Sequence, residues 1–178
     1  MQRCFASFGV AFIGKVDRDF LERARPIPHN EKNYNAEGVH AQFDFVLGSG
    51  YDGEVKGASP ECGIEVTRDS VRVNDHMSKA DMAFSSQGRT TFELASMGVP
   101  TIVMAQNGRE QPHRFAQMDN GFINLGLGSE VSDEDILSTF EWLAGAVSIR
   151  KEMRKLMLDN DLKSGINKVK RIILGETL

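Results

Sequence analysis

Short apolar runs alternate along the chain with stretches of helical periodicity, the pattern of a sheet whose strands are separated by helices. The runs at 4–8, 43–47, 64–67, 82–85, 101–104 and 122–125 predict strands. They are continuous rather than alternating, as expected where both faces of a sheet are covered. The spacing of the last four leaves room for one helix between most neighbours, which argues for parallel strands.

The helices carry clearer end signals. Residues 90–97 predict a short helix stopped by Gly98 and then Val99-Pro100. Pro112 suits the first turn of a helix running to about Met118. Ser132 with Asp135 three residues later is a capping box, and opens a helix to about Ala144. Its Ile136, Leu137, Phe140, Leu143 and Ala144 share one face. Two more amphipathic helices follow, one through Ile149, Met153, Leu156 and Met157, the other through Leu162, Ile166, Val169 and Ile173. These stripes read as core. The segment 25–42 holds Pro26, Pro28, Asn30, Asn33, Asn35 and Gly38 with little periodicity, and reads as an irregular loop with a frayed helix. The expected architecture is a single α/β domain over 1–178: three-layer α/β/α, Rossmann-like, with a mostly parallel six-stranded sheet and C-terminal helices over 148–178.

Composition narrows the function classes. The 178 residues, 40% of them hydrophobic, suffice for a sizeable core. A net charge of −4 argues against a general nucleic-acid binder. The charge is uneven, −8 over 1–148 (13 basic, 21 acidic) and +4 over 149–178 (8 basic, 4 acidic). The solvated faces of C-terminal helices account for the basic tail, with a partner surface as the alternative. Cys4 and Cys62 make neither a disulfide framework nor a zinc site. No leader pattern and no apolar run of the ~20 residues that span a bilayer is visible. The expectation is a reduced, soluble, cytoplasmic protein without metal or cofactor.

The densest polar cluster runs from Ser85 to Glu93, following the strand at 82–85 and opening the short helix. In a parallel sheet it falls at the carboxyl edge, where ligands bind. A helix N-terminus there offers unpaired N–H groups and a partial positive charge to a phosphate. Gly88 permits close approach; Ser86, Gln87, Thr90 and Thr91 add donors, and Arg89 adds charge. The bland reading, that Ser and Thr merely cap the helix, needs only one such residue. Glu93, one turn in, can accept from ribose hydroxyls or simply suit a positive helix end. The next strand leads into a second polar loop with Gln106, Asn107, Glu110, Gln111 and His113. Amides and a carboxylate without a nucleophile suit sugar hydroxyls, which need mixed donors and acceptors. His113 alone is more often structural than an acid or base.

Residues 48–53 spell a literal GxGxxG after the strand at 43–47. A dinucleotide fingerprint also requires a helix at the third glycine, whereas Gly57 and Pro60 follow with no apolar stripe. This reads as a glycine-rich turn near the same cleft, not an NAD site. Ser7-Phe8-Gly9 is expected to form another small-residue turn at the end of the first strand.

The run ADMAFSSQGRTTFELASMGVP, Ala80 to Pro100, resembles the carboxyl-terminal nucleotide-sugar-binding half of GT-B glycosyltransferases. It is similar in particular to the UDP-sugar hydrolases of pseudaminic acid synthesis and to spore-coat polysaccharide biosynthesis proteins. The resemblance covers roughly Ile64 to Gly126. It implies that Ser86 to Thr91 hold a diphosphate and that Glu93 takes the ribose hydroxyls. It also implies that Val73 and Asn74 lie against the base and that Asn107, Glu110 and Gln111 read the sugar. Arg89 stands where a small residue is common. Such enzymes carry the acceptor site and usual catalytic base on a second, amino-terminal half. The implied ligand is therefore a nucleotide sugar, most simply a UDP-sugar. The implied partner is a companion half or a second copy, with activity, transfer or hydrolysis, only in the completed enzyme. The alternative is a non-catalytic interaction module that keeps the fold without the ligand.

Overall fold

A computed structural model describes residues 9–14, 41–48 and 64–175. In chain order these form β1 (Gly9–Gly14), β2 (Gln42–Leu47), β3 (Ile64–Arg68), α1 (Val73–Met77), β4 (Met82–Ser86), α2 (Thr90–Met97), β5 (Thr101–Ala105), β6 (Phe122–Leu127), α3 (Asp133–Gly145), α4 (Val147–Asp159) and α5 (Gly165–Ile173). Short 3-10 turns lie at Met118–Asn120 and Leu162–Ser164.

The strands join in the order β3-β2-β1-β4-β5-β6. β2–β3, β4–β5 and β5–β6 are parallel, whereas β1 is antiparallel to both neighbours. Five strands therefore share one direction and β1 alone is reversed. The spatial order is that of doubly wound dinucleotide folds, but the expected parallel sheet is not continuous: reversed β1 splits it into sets of two and three.

The first third of the chain departs from these expectations. The strand expected at 4–8 lies outside the described residues, and the observed β1 begins at Gly9. Gly9 is thus a strand residue paired with Leu47 rather than part of a turn. β2 starts at Gln42, inside the span assigned to the irregular loop. Residues 25–40 and the stretch from Ser49 through Pro60 lie outside the described residues, as do Cys4 and Cys62.

Helices cover both faces. On one side Phe45, Met82, Phe84, Ile102, Met104 and Ile123 of the sheet meet Ile136, Phe140, Leu143 and Ala144 of α3. Phe140 packs 5.6 Å from Phe43 and 6.1 Å from Phe84, centroid to centroid. On the other side Ala83 and Val46 meet Met77 and Leu94, while Val103 and Phe122 meet Ala95 and Met157. α4 reaches both layers, with Met153 in the first and Met157 in the second. All five residues of β5 are buried, which is why its run reads as continuously apolar.

The predicted helix ends are mostly found. Gly98 closes α2 in a left-handed conformation, with Val99 N–H bonded to Leu94 O. Ser132 Oγ accepts from Asp135 N–H at 3.0 Å, so the N-cap is formed. The Asp135 carboxylate does not reach back to the backbone, however; it accepts from the Ser132 hydroxyl at 2.6 Å. The helix expected from Pro112 to Met118 is absent. That segment is a chain of turns whose groups bond into the neighbouring loop instead, ending in the 3-10 turn Met118–Asn120.

The basic tail divides by role. Arg150 donates to Leu143 O and Ala144 O at the end of α3, and Arg154 to Met97 O and Gly98 O at the end of α2. A cation at a helix C-terminus is favourable against the dipole, so these charges serve the fold. α5 differs. Ile166, Val169, Ile172 and Ile173 are exposed, contrary to the expected core stripe, and no described residue covers them. Lys168 pairs with Asp161 at 3.0 Å. The Ser164 hydroxyl and the Lys168 ammonium hold the Asp161 carboxyl below its ordinary value. That contribution is present above the unfolded pKa and is lost as pH falls through the lowered folded one. Amide exchange along α5 should therefore accelerate in that acid range before exchange in α3 does.

Among the described residues no helix is long and apolar enough to cross a membrane.

Candidate functional site

Because β2 to β6 share a direction, their carboxyl ends lie on one edge: Gly48, Asp69, Gln87, Gln106 and Gly128 follow in turn. Gly9 is at this edge too, opposite Leu47. The two polar loops singled out in the sequence are neighbours here, after adjacent parallel strands β4 and β5.

β4 ends at Ser86, and Gln87, Gly88 and Arg89 turn the chain into α2. No side chain caps this helix. Gly88 O accepts from Thr91 N–H at 3.3 Å and from Thr91 Oγ1 at 2.7 Å, and Phe92 N–H bonds to Arg89 O at 3.0 Å. The N–H groups of Gly88, Arg89 and Thr90 bond to no other described residue. These are the orphan donors of a helix start. Thr91 is buried and its hydroxyl is committed to the turn, while Thr90 and Ser86 stay partly open. Arg89 and Glu93 are exposed on α2.

The second loop folds on itself. Asn107 Oδ1 accepts from Arg109 N–H at 2.9 Å, Asn107 O from Glu110 N–H, and Glu110 O from His113 N–H. Glu110 Oε2 accepts from Gln106 N–H at 2.7 Å. Its Oε1 lies only 3.4 Å from where a Cβ on Gly88 would stand. A carboxylate thus sits beside the N-terminus of α2, an arrangement the helix dipole favours.

The loops are tied by a reciprocal pair. Gln87, 2% exposed, donates from Nε2 to His113 O, and His113 Nδ1 donates to Gln87 O at 2.8 Å. Since a backbone carbonyl only accepts, His113 Nδ1 carries a proton. His113 is therefore first a clamp. Phe92 and Phe115 stack at 4.3 Å and join α2 to the chain beyond the clamp.

Beside this rim lies a concavity of about 400 Å³ lined by Gln87, Gln111, Gln117, Asn124, Leu125 and Gly126. It adjoins a second of about 460 Å³, which shares Gln111, Leu125 and Gly126 and adds Glu130 and Asp135. Asn124 is fixed by its bonds to Ala116 O and Gly126 N–H, both 2.9 Å. The structure thus brings Gln87, Gly88, Gln106, Glu110, Gln111 and His113 together. Val73 and Asn74 lie on α1. Val73 packs beside Met77 and Leu94, and Asn74 is exposed. Gln117, Asn124 and Gly126 were not anticipated. The signal available was a glycine inside a strand pattern, which marks close approach or a bulge; the β5–β6 register is irregular there.

Among the described residues no group of three or more His, Cys, Asp or Glu is placed to hold a metal ion. No family model matches the chain, nor does any curated protein or solved structure.

Proposed function

We propose that this chain is a nucleotide-sugar-binding domain of GT-B type, acting with a companion half in a glycosyltransferase or nucleotide-sugar hydrolase. The observation that carries the reading is the clamped rim. An uncapped helix start with three free N–H groups stands beside a concavity rich in side-chain amides. The N–H groups suit a diphosphate, and the amides suit the donors and acceptors of a sugar ring. Donors fixed before the ligand arrives would stabilise the charge developing on a departing nucleoside diphosphate. In this reading Ser86, Gly88, Arg89 and Thr90 face the diphosphate and Glu93 the ribose. Gln106, Asn107, Glu110 and Gln111 face the sugar. Attack by water or an acceptor hydroxyl depends on a base supplied by the other half.

Calorimetry with UDP and a UDP-N-acetylhexosamine tests this. Wild type should bind both, weakly because one wall of the cleft belongs to the companion. Glu93→Ala should weaken binding about three- to tenfold, the range of one hydrogen bond to a charged group. Thr90→Ala should cost less. Absence of binding at millimolar ligand overturns the reading.

The exposed stripe of α5 favours a second reading, an interaction module. Light scattering distinguishes it: association lost on Ile166→Ser and Ile172→Ser, with no thermal shift from any nucleotide sugar, would support it.

A further inference from the structure

Three side chains outside the clamped rim stand in the order of a nucleophile, a base and an orienting carboxylate. Ser70 Oγ lies 3.3 Å from His76 Nε2, and His76 Nδ1 is hydrogen-bonded to Asp44 Oδ2. We propose that Ser70, His76 and Asp44 form a second chemical site of this protein, which cleaves small carboxylic esters.

The fold assembles the set from three places. Asp44 is in β2 and parallel β3 delivers the chain to Ser70 at the carboxyl edge, while α1 returns His76 over the same face. β3 and β4 are three strand positions apart, roughly 14 Å at the usual strand spacing. The set is thus distinct from the clamped rim, and the proposal does not depend on nucleotide-sugar binding.

The protonation pattern follows from the partners. An ionised carboxylate only accepts, so His76 Nδ1 carries a proton, and in the neutral ring Nε2 then presents its lone pair to the Ser70 hydroxyl. That is the tautomer a general base requires, held by a carboxylate as in triads on unrelated folds. The position also carries marks of a functional site. Asp69, next to Ser70, has φ +50 without being glycine, and such backbone gathers where chemistry needs it. Asp44 Oδ1 is buried with no hydrogen-bond partner among the described residues, an energetic cost that a purely structural tie would avoid. Arg72 N–H donates to Ser70 Oγ at 3.2 Å, which favours charge on that oxygen. Ser70 is partly exposed, in a turn whose next residue, Val71, is 97% exposed. The openness of this turn suits short acyl groups.

In the reaction Ser70 Oγ bonds to the ester carbonyl carbon as its proton passes to His76 Nε2. The bond from that carbon to the alcohol oxygen breaks, and His76 returns the proton to the departing alcohol. Water then attacks the acyl-serine, giving up a proton to His76. The acyl–Oγ bond breaks and the proton goes back to Ser70, leaving one acid and one alcohol per ester and water.

The full chain should hydrolyse p-nitrophenyl acetate, and a fluorophosphonate probe should label the peptide containing Ser70. Ser70→Ala should abolish the labelling and lower hydrolysis to the buffer rate with an unchanged melting curve. His76→Gln, which keeps a polar side chain between α1 and β2, should lower the rate about a hundredfold or more. A structural role alone would move the melting curve of His76→Gln without a labelled serine. Failure of the probe to label Ser70, or Ser70→Ala hydrolysing as wild type does, overturns the proposal.

Discussion

Gly121→Ala should destabilise the fold by about 3 kcal/mol or more, lowering the melting temperature by roughly 6–12 °C for a chain of this size. Gly121 closes the 3-10 turn ahead of β6 with φ 83 and ψ 25. An L side chain in this region costs roughly 1–2 kcal/mol. Steric overlap costs more. A Cβ at Gly121 would stand 2.3 Å from Met153 O and 3.0 Å from Met157 Cγ. The first contact is with backbone, so no rotamer relieves it, and α4 would have to withdraw. Since Met153 and Met157 anchor α4 to both core layers, withdrawal would expose apolar surface on each. Gly126→Ala separates overlap from backbone strain. Its φ is +88, yet nothing lies within 4 Å of its Cβ position. It should cost only the strain of the left-handed backbone, about 1 kcal/mol. Equal losses for the two variants, in thermal or urea melts, would remove the steric account.

The parts of the fold legible in the sequence are those where one local pattern decides the outcome. The runs at 82–84 and 102–105 are continuously apolar because β4 and β5 are buried on both faces. Gly98 and Ser132 stop and start helices through bonds to residues close in sequence. Where bonds run to distant residues, the reading fails. Pro112 suits a helix start, but His113, the next residue, is tied across 26 residues to Gln87, and that bond holds the segment in turns. The reversal of β1 is likewise invisible locally, since an apolar run reads the same in either direction. The amphipathic stripe of α5 shows the opposite limit: periodicity reports an apolar face, not what covers it. At the site, placement at the carboxyl edge was legible because it follows from strand direction. The division of labour inside the loop was not. Thr91 and Gln87 are chemically apt ligands, but burial and bonds within the rim engage their polar groups.

Glu110→Gln should change binding in two directions at once. The Glu110 carboxylate stands beside Gly88 and the free N–H groups of α2, so a bound diphosphate would meet a like charge there. Glutamine keeps an acceptor for Gln106 N–H and removes the charge. At an effective dielectric of about 20 to 40, charges some 7 Å apart repel by roughly 1–2 kcal/mol before screening. UDP should therefore bind about three- to tenfold more tightly to the variant, and the gain should shrink with added salt. The sugar behaves oppositely. If Glu110 accepts from a sugar hydroxyl, a bond to a charged group worth about 1.5–3 kcal/mol becomes a neutral one worth about 0.5–1.5. The extra affinity of a UDP-N-acetylhexosamine over UDP should accordingly fall by about tenfold. Titrating both ligands into wild type and variant at two salt concentrations separates the effects. A carboxylate serving only to hold its own loop would leave UDP binding unchanged, and so would leave both differences near zero.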